Sequence, residues 1–69
     1  MKNQYLVIFG LNGESSTNTY TICVDCEVQE TAEYTFYYII MEVVKKFNNL
    51  TNRNIISTDI TTHSLSKLN

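Results

Sequence analysis

Residues 30–49 read ETAEYTFYYIIMEVVKKFNN, and the parsing of this run decides the fold. At 100° per residue Ala32, Phe36, Ile39, Ile40, Val43, Phe47 and Leu50 fall in one stripe, the pattern of a helix laid on a sheet. The aromatic and β-branched stretch 34–40 favours a strand on propensity alone. Length argues the other way, because about twenty residues without Gly or Pro are long for a strand and ordinary for a helix. Glu27, Glu30 and Glu33 gather at the start and Lys45 and Lys46 towards the end, each suited to the helix dipole. The spacing predicts one long helix over 30–49, stopped at Asn48-Asn49.

Upstream, residues 4–11 place Tyr5, Val7, Phe9 and Leu11 on one face and Leu6 and Ile8 on the other. A strand apolar on both faces belongs in the middle of a sheet. Asn12-Gly13 and the polar run 14–18 predict a loop longer than a two-residue turn. Residues 19–28 then alternate, with Tyr20, Ile22, Val24, Cys26 and Val28 on a core face and Thr19, Thr21, Cys23, Asp25 and Glu27 on a wet one. A third strand is expected over 54–62, with Ile56, Thr58 and Ile60 on one face. The expected architecture is α+β: a small three-stranded sheet covered on one face by a single long helix, in the order β-β-α-β. It forms one domain over residues 1–63, followed by a polar tail over 64–69. The third strand pairs either beside the second, through a right-handed crossover, or beside the first. The pattern does not choose between them.

The chain has 69 residues, a formal net charge of −2, 43% hydrophobic and 17% charged residues. One small domain fits that length, and the composition is too apolar for disorder. A chain this short buries a marginal core and commonly leans on a partner. The longest apolar runs, such as Leu6-Val7-Ile8-Phe9, are far short of a membrane span, and no signal-peptide pattern opens the sequence, so a cytoplasmic protein without membrane contact is expected. Asn, Ile, Lys, Tyr and Phe, whose codons are AT-rich, supply 27 residues, while Gly, Ala, Arg and Pro supply four. That bias suits a low-GC bacterium or a phage or mobile element living in one.

Cys23-Val24-Asp25-Cys26 is formally a C-x-x-C, the spacing of redox and zinc sites when it lies on a turn. On a strand, residues three apart point to opposite faces, so these thiols do not meet. His63 is the only histidine, and Asp59, four residues upstream on the same strand, would stand about 13 Å from it. The only glycines, Gly10 and Gly13, make no phosphate loop. Asp25, Glu27, Glu30 and Glu33 are accounted for by the acidic helix start. No catalytic residues, metal ligands or cofactor are therefore expected, and the chain reads as a non-enzyme. Lys45, Lys46 and Arg53 are the candidates for contact with a phosphate backbone, although three cations are thin support and nucleic acid is an unfavoured partner.

The back of the helix is unusual. Tyr34, Tyr37, Tyr38, Met41 and Val44 gather opposite the core stripe, where a surface helix ordinarily carries Glu, Lys and Gln. Tyr and Met are enriched in contact surfaces. The competing account has the third strand or tail, through Leu65 and Leu68, folding over this face. A second open surface is the polar sheet face of Thr19, Thr21, Cys23 and Asp25, with a free strand edge. The expected function is a small binding protein that occupies a surface of another protein through the five helix residues. A phage or mobile-element inhibitor of a host or defence enzyme, anti-CRISPR-like in strategy, is its narrower form. The alternative is a homodimer packed through the same Tyr and Met face, with weak nucleic-acid contact at the basic helix end.

Overall fold

A strand apolar on both faces has two edges to satisfy, and β1 (Lys2–Leu11) satisfies both. The computed structural model describes residues 2–68. β1 pairs antiparallel with β2 (Tyr20–Glu27) along one edge and with β3 (Ile60–Lys67) along the other, giving the order β2-β1-β3. Between β2 and β3 run α1 (Ala32–Thr51) and a 3-10 turn, Ser57–Asp59. The α+β architecture and the element order are those expected from the pattern. The open question of strand order is resolved by the path of the chain. α1 runs back along β2 and returns the chain to the Leu11 end of β1, where Asn12 gathers it. Asn12 N–H donates to Asp59 O at 2.8 Å, its Nδ2 donates to Thr58 O at 2.7 Å, and Thr61 Oγ1 donates to its Oδ1 at 2.7 Å. From there β3 enters antiparallel to β1.

Three expectations are corrected. Residues 54–56 are not strand, and the third strand starts at Ile60; Asp59 closes the preceding turn by accepting Ile56 N–H on its carboxylate at 3.0 Å. Residues 64–67, expected in a polar tail after a domain ending at 63, lie in β3, where Ser64, Leu65, Ser66 and Lys67 pair with Ile8, Val7, Leu6 and Tyr5. Their Ser and Lys character conceals a strand whose ladder is supplied by the backbone. The helix does not stop at Asn48-Asn49 but continues to Thr51 and ends at Asn52, which takes the left-handed conformation (φ 57°) of a helix stop. Asn48 instead grips the following loop, accepting from Ile55 N–H at 2.9 Å and donating to Ile55 O at 3.0 Å. With the end moved on, Lys45 and Lys46 stand before the last turn, which carries no basic residue.

The core lies between α1 and the odd-numbered face of β1. Val7, Phe9, Ile39 and Val43 are its most deeply buried side chains, with Tyr5, Leu11, Ile22, Val24, Cys26 and Phe47 around them. Phe9, Tyr20 and Phe47 form an aromatic triangle with centroids 5.1–5.6 Å apart, in the edge-to-face and offset arrangements that the ring quadrupoles favour. The expected helix stripe is buried only in its middle. Ile39, Ile40, Val43 and Phe47 are buried, while Ala32, Phe36 and Leu50 at its ends are exposed. A 20-residue helix is about 30 Å long, and only its centre rests on the sheet.

β3 carries a bulge. Ile8 is paired with Ser64 and Phe9 with Thr62, so His63 is the extra residue. Its ring lies over Gly10, where a Cβ would stand 3.0 Å from His63 Nε2 and 3.4 Å from Asn18 O. Glycine in this strand thus marks a close approach.

The unequal burial of the stripe has a direct check by urea denaturation. Phe47→Ala should cost about 3–5 kcal/mol, as expected for emptying a packed core site, whereas Phe36→Ala should cost no more than about 1 kcal/mol. Similar losses for both would mean that α1 lies deeper on the sheet than described.

Candidate functional site

The first two turns of α1, residues 32–38, stand clear of the sheet. Thr31 caps it, accepting Tyr34 N–H on Oγ1 at 3.1 Å. Thr35 Oγ1 donates to Thr31 O at 3.0 Å and accepts Gln29 N–H at 2.9 Å, tying the preceding loop to the first turn. No residue from 32 to 38 is buried. Tyr34, Tyr37, Tyr38 and Met41 are 61, 53, 47 and 41% exposed, and Val44 is half-buried. Tyr37 and Tyr38 meet edge to face with centroids 5.6 Å apart, so part of the patch is already ordered. β3 is paired with β1, and Leu65 sits in that ladder rather than over the back of the helix.

The exposed apolar surface extends further than the back of the helix. Phe36 and Val28 are exposed, and with Tyr5, Ile39 and Leu65 they line an open groove of about 400 Å³ between the start of α1 and the sheet. Sequence reasoning missed this part. Phe36 lies at a core angle, and helical periodicity carries no information on where the supporting sheet ends. On the other flank Tyr38 shares a cleft with Asp25, Glu27, Glu42 and Lys2. Asp25, Glu27, Glu30, Glu33 and Glu42, five of the chain's seven acidic residues, lie on β2, on the loop to α1 or on α1 up to its middle. The patch is aromatic with an acidic border.

The three cations do not form one surface. Lys46 reaches round β2 and donates from Nζ to Cys23 O at 2.6 Å, covering a backbone acceptor on the outer edge of that strand. Arg53 pairs with Glu14 at 3.0 Å and lies 5.8 Å from the Phe47 ring centroid. Lys45 is exposed on α1. Cys23 and Cys26 project to opposite faces of β2, as alternation requires, Cys26 buried and Cys23 half-buried. Burial pushes the Cys26 thiol up, away from the reactive thiolate.

Glu14 is the hub of the one charged network in the loop between β1 and β2. Tyr20 donates its hydroxyl to Glu14 at 2.7 Å and Arg53 its guanidinium at 3.0 Å. The Tyr20 hydrogen bond, assisted by Arg53, holds the Glu14 carboxyl below its ordinary range, and the same carboxylate raises Tyr20 and Arg53. The network fastens the loop to the aromatic triangle and to the segment after α1.

No protein-family model matches this chain, and no curated protein or solved structure is detectably similar to it.

The network predicts pH dependence of opposite sign at its two ends. A carboxyl lowered in the folded state stabilises it above the ordinary glutamate range, and that contribution is lost as pH falls through the lowered value. A phenol raised in the folded state stabilises it below the ordinary tyrosine range, and that contribution is lost as pH climbs through the raised value. Urea midpoints measured from pH 3 to 11 should therefore fall at both extremes, and Glu14→Gln should flatten both limbs. An acid limb unchanged by Glu14→Gln would remove Glu14 from this role.

Proposed function

We propose that this chain is a small non-enzymatic binding protein that acts by occupying a surface of another protein, with the first half of α1 as its contact. The observation that carries the reading is the exposure of Tyr34, Phe36, Tyr37, Tyr38 and Met41 together on about two turns of helix, where Ile39 and Ile40 alone turn into the fold. Exposed apolar patches of this kind on small chains mark interaction sites, and Tyr and Met supply large contact area with adaptable packing. The acidic border suits a partner with an apolar recess rimmed by Lys or Arg, since opposite charges steer the encounter and fix its register. Small size and the low-GC residue bias favour the narrower form, a phage or mobile-element inhibitor of a host or defence enzyme. In that form the chain needs no chemistry of its own, because covering a functional surface suffices.

Nucleic acid is the weaker reading, because Lys46 and Arg53 are engaged within the fold.

The test is a paired capture from a low-GC bacterial lysate with the natural chain and with the double variant Tyr37→Glu, Met41→Glu, both checked for native circular dichroism. The double variant should lose the captured protein by at least tenfold, as expected when hot-spot side chains are removed from an interface. Equal capture by both would assign the contact elsewhere. If the same variant halves the mass of the free protein, the patch is a self-packing face and the homodimer alternative replaces this reading.

A further inference from the structure

The two edges of the sheet are treated differently. Both β2 and β3 have β1 as their single sheet neighbour among the described residues, but β2 also has α1 packed against it and Lys46 on its Cys23 carbonyl. An open edge is a row of backbone donors and acceptors waiting for a strand. Two hydrogen bonds fix which groups of β3 face outward. Leu68 N–H donates inward to Gln4 O at 2.8 Å, and Asp59 O accepts inward from Asn12 N–H at 2.8 Å. Antiparallel alternation from these two anchors, meeting at the His63 bulge, turns the N–H and C=O groups of Thr62, Leu65 and Lys67 outward together with the Ile60 C=O, while the Ile60 N–H donates to Ser57 O in the 3-10 turn.

Because paired residues share a face, the same four side chains lie on the α1 side, opposite Leu11, Phe9, Val7 and Tyr5. Thr61, Ser64 and Ser66 lie on the other side, opposite Gly10, Ile8 and Leu6, and bulged His63 lies with them against Gly10. Read from either end, β3 therefore has the same order of faces, and the bulge stands at its centre. We infer that β3 is the contact for a second copy of this chain, joined antiparallel about a two-fold axis between His63 and Ser64 into a continuous six-stranded sheet.

In that register Ile60 faces the second copy's Lys67 and Thr62 faces the second copy's Leu65. Every free outward N–H meets an outward C=O, and every pair lies on one face. A one-residue slip breaks this match. The charges agree with the antiparallel sense. Lys67 is the only charged side chain of β3, and the two copies of it stand about 23 Å apart, beyond the screening length, each at the end where the other copy's Asp59 lies. A parallel pairing would set them side by side. Leu65, 37% exposed in the single chain, gains cover from the opposed threonine. The contact leaves the aromatic half of α1 outside it, so it stands or falls independently of the function proposed above.

The test is a concentration series, from about 10 µM to 1 mM, of solution mass and of amide hydrogen exchange followed by NMR. The mass should rise from 8.0 kDa towards twice that value. Over the same range exchange at Thr62, Leu65 and Lys67 should slow at least tenfold, with Ser64, Ser66 and Leu68 protected throughout. Thr62→Pro removes an outward N–H without touching the ladder to β1, and should hold the protein at 8.0 kDa with a native spectrum. Should that variant fail to fold, the three amides of the natural chain decide the matter alone. A mass of 8.0 kDa up to 1 mM, or a dimer in which those three amides exchange at unchanged rates, overturns the inference.

Discussion

Everything in this fold hangs on the double pairing of β1. The strand donates one edge to β2 and the other to β3, and its odd-numbered side chains supply the floor on which α1 rests. A three-stranded sheet with one helix is close to the least that buries a continuous core, so little redundancy is left. Val7 and Phe9 at its centre are fully buried, and each is flanked by partners on both neighbouring strands. The even-numbered face, with Leu6 and Ile8 half-buried, is left without a helix. Apolar character on both faces is thus explained by centrality in the sheet, with cover on only one side.

Polar side chains decide how the remaining segments attach to that floor. Asn12 anchors the start of β3, Asn48 clamps the loop after α1, and Glu14 joins the first loop to Arg53 and Tyr20. Each uses an amide or carboxylate where the chain must turn with little apolar surface to bury. The outcome is a helix held firmly from Ile39 to Phe47 and unsupported before it. The projecting aromatic half of α1 follows from that geometry. A helix matched in length to the sheet would have buried Phe36 and left no groove beside Val28 and Leu65.

Much of the exposed aromatic patch was legible from residue pattern. Tyr34, Tyr37, Tyr38 and Met41 fall opposite the core by angle alone, and they are exposed; Val44, nearer the sheet, is half-buried. Phe36 was legible only as a core residue, because periodicity reports an angle about the helix axis and not a position along it. Lys46 and Arg53 looked like free cations for the same kind of reason: what engages them, Cys23 O and Glu14, lies 23 and 39 residues away in the chain.

The amino-acid pattern on its own determined the element types, their order, the inward face of β2 and the central place of β1. Those properties depend on side-chain alternation and helical spacing within a few residues of one another. Tertiary structure alone decided that β3 lies beside β1, that it extends to Lys67 through Ser and Lys residues, and that it bulges at His63 over Gly10. Strand pairing is made by backbone groups that every residue carries alike. Which edge a strand joins, and how far it runs, is therefore written in the return path of the chain and in the space left by α1, not in the local order of side chains.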